Sequence, residues 1–365
     1  MNVPYSGPIL GNVDKMPMPP PATITNYKPL MGRRRRFGRS TCFLCRCPLR
    51  TKNRSDEHIF PKWLQKRFNL RDLRLELLNR SLISYKQLTI PCCKRCNNEH
   101  LSRIEVQMRD AVLNGPRSVS RLDPIIPYLW LSKIYYGLLY CEHFLSSDRK
   151  KPFSPIVPRE ALENLDLHHY YLQGAKHPIQ FPLGLPGSVF AFGTSKPDRI
   201  EEQFDFLDLH HKRGIGIRMG SVGLICIFQD GGLIRKFHDS LRRPYYRRNT
   251  LHPVQFRQAA AEVFYKAHLL RTRVGFQLIE DDHKIMVLPQ HSSQVLFNDW
   301  ILEDFCRMLA HFLDQRLEDI YAGDAKYAST IRTPDGKFIT INPNHRVVFG
   351  GAGTPNSEAP AMSNA

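Results

Sequence analysis

A chain of 365 residues with 42% hydrophobic composition can bury one large or two ordinary cores, which excludes a wholly disordered polymer. A formal charge of +18 directs it toward a polyanionic partner, nucleic acid before a membrane surface. No apolar run reaches the length of a membrane span, and MNVPYSGPILGNVDK lacks the apolar core of a signal peptide, so a soluble cytoplasmic protein with no membrane partner is expected.

Residues 1–32 are proline-rich (MPMPPPATITNYKPL) and show neither helical nor strand period, so 1–40 reads as a disordered leader. It ends in GRRRRFGRS, where Arg33, Arg34, Arg35 and Arg36 suit phosphate contacts, with a plain solubilising run as the alternative. Residues 1–40 carry seven Lys/Arg against one acid and residues 41–112 fifteen against seven, so fourteen of the eighteen net charges lie in the first third. The polyanion-binding surface is therefore expected on or beside that third.

Six of the nine cysteines (Cys42, Cys45, Cys47, Cys92, Cys93 and Cys96) fall within 55 residues, whereas Cys141, Cys226 and Cys306 sit in apolar surroundings and read as buried thiols. In a reducing compartment the cluster points to a metal before disulfides. Between the cysteines, KWLQKRF reads as a short helix with Trp63 and Leu64 inward and Lys62, Lys66 and Arg67 available to phosphate. A helical pattern runs from about Lys94 to Leu113 and stops at Asn114-Gly115-Pro116, closing a small unit at 41–114.

Beyond the break, PYLWLSKIYYGLLYCEHFL (127–145) predicts a helix buried on most sides. SVFAFGT, FDFLD, GIGIRM and VGLICIF (187–228) predict an antiparallel sheet, and helices are expected over 253–270 and 298–320. The order helix, strands, helices indicates an α+β fold: the small 41–114 unit, a larger 115–345 domain with an antiparallel sheet and long helices, and a flexible 346–365 tail. No P-loop, dinucleotide fingerprint or repeat is present. The pairs His168-His169 and His210-His211 and the EDDH at 280–283 lack partners at metal-ligand spacing and are expected at the surface.

The chemistry concentrates in the small unit. Cys42-x2-Cys45 and Cys93-x2-Cys96 can place four thiolates around one Zn2+ and staple a unit too small to hold itself by apolar burial. Cys47 and Cys92 are surplus, and Cys92 competes with Cys93 for the register. Between the knuckles lies SDEHIFPKWL, and the second knuckle continues into Asn97-Asn98-Glu99-His100. Closure around zinc would bring the acid-His stretch opposite Asn97.

C-x2-C, acid-His-Ile-x-Pro and C-x2-C-Asn, over about residues 41–110, resemble the zinc-stapled HNH (ββα-metal) endonucleases. The stretch is particularly similar to bacterial and phage proteins with an EHI(F/V)PKWL segment followed by CxxCNN. The resemblance implies a ββα unit in which His58 takes a proton from the attacking water. It also implies that Glu57, where the family more commonly has Asp, and Asn97 hold a catalytic Mg2+ or Mn2+. Oxygen ligands suit such a hard cation, and a neutral imidazole suits a base near pH 7. His100 is either a further metal ligand or a local packing residue. Lys94 and Arg95, within the second knuckle, join the basic residues expected at the nucleic acid.

One element of the family pattern is missing. The middle Asn that orients the base histidine falls at Leu88 or Thr89, leaving Gln87, Thr89 or Asn79 to take its role. The function implied is metal-dependent hydrolysis of nucleic-acid phosphodiester bonds, double-stranded DNA first. A large appended domain suggests, by analogy, a bacterial or phage defence or mobile-element effector restrained by residues 115–345, which are also where protein partners would dock. The alternative is a non-catalytic zinc-stabilised nucleic-acid-binding module.

Overall fold

The computed structural model describes residues 24–25, 38–148, 150–163, 165–237, 249–272, 274–280, 284–290, 294–323, 326–349 and 356–358. It is an α+β protein, as the order of patterns predicts. The first knuckle is a tight turn in which the Cys42 N–H donates to the Cys47 carbonyl (2.9 Å) and Arg46 takes a left-handed φ of 61°. Strand β1 (Arg54–His58) follows, then helix α1 (Lys62–Arg67) and a small hairpin of β2 (Arg74–Glu76) and β3 (Leu82–Ser84). The chain returns as β4 (Thr89–Cys93), antiparallel to β1 with Arg54 opposite Cys93 and His58 opposite Thr89.

A π-helical turn (Cys96–Leu101) then runs into α2 (Ser102–Leu113), so the 94–113 pattern is helical but opens with a wider turn. Gly115, at φ 91°, supplies the turn that a side chain would strain, and Pro116 starts α3 (Pro116–Arg121). The apolar run expected at 127–145 is α4 (Ile125–His143), with every residue from Pro127 to Glu142 buried. Helix α5 (Asp166–Leu172) packs beside it.

The four segments expected as strands form one antiparallel sheet: β5 (Ser188–Gly193), β6 (Phe204–Leu209), β7 (Gly214–Met219) and β8 (Val222–Ile227), in the order β6-β7-β8-β5. Helix α6 (Pro253–Leu269) lies on this sheet, where Gly223 leaves room for Phe256; a Cβ at Gly223 would come within 2.5 Å of that ring. Strands β9 (Gly275–Glu280) and β10 (Ile285–Gln290) make a second antiparallel pair, and α7 (Leu302–Leu313) packs on α6.

Three expectations are corrected. The helix expected over 298–320 spans only 302–313, because Asp314 enters the left-handed region (φ 54°); a separate turn forms at Leu317–Ile320. The His168-His169 pair is not surface decoration but fully buried. His168 bonds the Ser132 carbonyl (3.2 Å), and His169 bonds the carbonyls of Phe43 and Leu44 (3.0 and 2.9 Å). His210 is half-buried against Asp208 (3.2 Å), while residues 281–283 of the EDDH lie outside the described residues. Two short pairings fall within segments read as unstructured: Ile24–Thr25, both β-branched, run parallel to Phe276–Gln277, and Arg346–Val348 pair with Asn356–Glu358.

The core does not stop at the break near residue 115. One apolar cluster contains Phe43, Ile59, Phe60, Leu64 and Leu88 from the cysteine-rich unit together with Trp130, Tyr136, Phe204, Phe206 and Phe228 from the rest. Phe60 meets Phe206 edge-on with ring centroids 5.2 Å apart, and Trp63 stacks on Trp130 at 6.3 Å. The apolar residues of IFPKWL therefore attach the small unit to α4 and to the sheet, and this accounts for their clustering in the sequence. The approach is closest at Gly137, where an added Cβ would touch Ile59 and Ile90 side chains at 3.3 Å. Gly137→Val forces two further methyls into that contact and is expected to cost about 1–3 kcal/mol of stability. Urea unfolding followed both by far-UV circular dichroism and by release of metal from the cysteines should show both transitions move together.

Candidate functional site

The site begins with the two knuckles. The sulfurs of Cys42, Cys45, Cys93 and Cys96 all lie within 4.8 Å of one another, a donor set that could hold a metal ion. The packing takes the Cys93 register. Cys92, fully buried, lies 3.8 Å from the Cys42 sulfur outside this set, and Cys47 remains half-exposed. Hydrogen bonds from Cys45, Cys92 and Cys96 hold the Cys42 thiol far below its ordinary range, while the thiol contacts of Cys45, Cys92 and Cys96 and the burial of Cys47 push those four up. Ligation of a divalent ion would require the thiols to give up their protons.

Residues distant in sequence fix this turn. The Phe43 N–H donates to the Pro91 carbonyl (2.8 Å), and the Gln173 amide joins His169 in donating to the Leu44 carbonyl (3.0 Å). Metal content measured on purified variants should separate the roles: Cys93→Ser loses the ion and most of the fold's stability, whereas Cys47→Ser keeps both.

Strand alternation divides the acid-His stretch between two faces. Arg54, Asp56 and His58 point one way; Ser55 and Glu57 point the other, toward the helix that follows β4. Asp56 is exposed and paired with Arg54 at 3.4 Å. His58, at the end of β1, is half-buried. Burial holds its imidazole below the usual value and the positive charges of Lys62, Lys133 and Arg71 add to this, against a smaller pull from Glu105. These surroundings favour the uncharged imidazole.

Glu57 is buried, and its carboxylate accepts from the Lys133 ammonium in a short ion pair. The same ammonium donates to Glu105 Oε1 (2.8 Å), to the His58 carbonyl (2.5 Å) and to the Ile59 carbonyl (3.1 Å). Burial works against charge on Lys133, but Glu105 and Glu57 outweigh it and hold the lysine above its ordinary value. Two carboxylates share this one cation, so burial together with Glu105 leaves Glu57 raised to about 7 in spite of Lys133.

The remaining expected residues distribute around this centre. Asn97 lies on the Glu57 side and donates its amide to Ser55 Oγ (2.8 Å). His100, lowered mainly by burial, is subject to the charges of Lys176, Arg95, Glu99 and Arg103. Lys62, Lys66, Arg67, Lys94 and Arg95 are all exposed; Arg33–Arg36 lie outside the described residues. Gln87 is spent on its own turn, accepting from Ser84, and Asn79 donates to the Ser146 and Ser147 carbonyls. Thr89 faces His58 across the ladder through the backbone.

Lys133, Glu105, Arg71 and Gln173 were not singled out by sequence reasoning, and His169 was noted only as part of a pair expected at the surface. Lys133 did carry a signal: it is the lone lysine of an otherwise largely apolar helix, and a buried ammonium demands a buried acid. Glu105, Arg71 and Gln173 have no marker in sequence, since each is an ordinary polar residue until the fold brings it to the knuckle or to β1. No protein-family model, curated protein or solved structure matches the chain.

Proposed function

We propose that the protein is an HNH-type nuclease that hydrolyses phosphodiester bonds of nucleic acid, double-stranded DNA being the substrate put forward. A structural Zn2+ on Cys42, Cys45, Cys93 and Cys96 would staple the unit. The observation that carries the reading is the position of half-buried His58 at the end of β1, beside a four-cysteine cluster that could hold a metal and within the influence of the Lys62 and Arg71 charges. A neutral imidazole can take a proton from an attacking water, and fixed cations beside it can hold a phosphate and offset its developing charge. The exposed Lys66, Arg67, Lys94 and Arg95 extend the positive surface available to the backbone.

The catalytic Mg2+ or Mn2+ expected on Glu57 and Asn97 does not fit this packing. Its carboxylate donor, Glu57, is committed to the Lys133 ammonium. This same pairing favours a second reading, a zinc-stabilised module that grips nucleic acid without cutting it. The first reading includes restraint by residues 115–345, in keeping with an effector of a bacterial or phage defence or mobile-element system. Its motivation is that the helix bearing Lys133 belongs to that part of the chain.

Supercoiled-plasmid nicking by zinc-loaded wild type and His58→Ala, each with Mg2+, Mn2+ or EDTA, tests the two readings. The nuclease reading expects nicking that falls about a hundredfold or more in His58→Ala with zinc retained. Equal behaviour of the two proteins, together with salt-sensitive DNA retention, would establish the binding module instead.

A further inference from the structure

The surroundings of the Lys133 ammonium are those of a bound cation. Four oxygens converge on Nζ: one from each carboxylate of Glu57 and Glu105, and the carbonyls of His58 and Ile59. Carboxylate and backbone carbonyl oxygens are the donors that hard divalent ions take. An ammonium has three protons to give and four acceptors here, so none remains for a phosphate. The lysine is 2% exposed, whereas the Glu105 side chain is 22% exposed. A small, mainly apolar depression lined by Leu101, Ile104, Leu129 and Trp130 lies beside Glu105 and Lys133.

Charge gives the pocket a preference. Two carboxylates around one ammonium leave a deficit of one positive charge. A divalent ion in the ammonium's place would balance the two acids. What prevents this is covalent attachment: Lys133 sits mid-way along α4, and α4 is anchored to β1 and β4 through Gly137, Ile59 and Ile90. The cation is therefore present at a high effective concentration whatever the metal level in solution.

We propose that Lys133 is the resident cation of this oxygen pocket, and that the fold admits a divalent ion at Glu57 only when the ammonium is withdrawn. The inference deepens the nuclease reading and rests on it for its consequence, which is that a shift of α4 arms the site beside His58. Its test uses no substrate, so loss of the nuclease reading through the nicking assay would be a separate result.

The experiment is Mn2+ binding to the zinc-loaded full-length protein, read by the electron paramagnetic resonance signal of free Mn2+. Wild type, Glu57→Gln, Lys133→Met and the Glu57→Gln/Lys133→Met double variant are compared. Lys133→Met is prepared with Mn2+ present throughout, because the bare pocket would leave two acids uncompensated. The proposal expects no saturable site in wild type below about 1 mM, one site gained in Lys133→Met at least about tenfold tighter, and its loss in the double variant. A wild-type site that Glu57→Gln abolishes would overturn it. So would a folded Lys133→Met with no gain in Mn2+ affinity, or a Lys133→Met that fails to fold even with the ion supplied.

Discussion

A single ammonium group, Nζ of Lys133, joins the two halves of this protein at their most demanding point. Its partners come from two elements, Glu57 and the carbonyls at the end of β1 and Glu105 on α2, all meeting the side chain of α4. Burying a charge is costly unless it is paired and hydrogen-bonded, and here every partner is committed to one centre. The end of the strand that presents His58 is thereby fixed by a residue 75 positions later in the chain. The chemistry available at His58 thus depends on how the larger part of the molecule packs.

The apolar contacts serve the same coupling. Ile59 and Phe60 follow His58 directly and pack on α4 and on the sheet, while His169 and Gln173 of the adjoining helical segment hold the carbonyls inside the first knuckle. The metal-binding turn, the strand-end histidine and the central helix therefore form one continuous structure. The proposed restraint of the site by residues 115–345 would need no separate inhibitory segment, since the Lys133 contact already lies within the core.

Much of the fold was legible because its signals are local. Alternation and glycine punctuation mark β5–β8, Gly115-Pro116 marks the break, and the knuckle spacing selects the cysteines that converge. The boundary at Asp314 was missed because the apolar period continues across it while one residue's backbone leaves the helix. The His168-His169 pair misled because histidines in sequence reveal nothing about carbonyls far away that need a donor. At the site itself the motif located Glu57 and His58, but motif spacing describes residues within 41–110 alone. That Glu57 would turn toward Lys133 is a consequence of tertiary packing, and only the lone lysine in a largely apolar helix hinted at it.

The most direct test of the central interaction is a double-mutant cycle between Glu57→Gln and Lys133→Met, with stability read from urea unfolding of the zinc-loaded protein. A charge pair on which both halves depend gives a coupling energy of about 1–3 kcal/mol, the double variant losing less than the two single losses together. Additivity to within about 0.5 kcal/mol would mean that the two side chains ignore each other in solution, and would contradict the account.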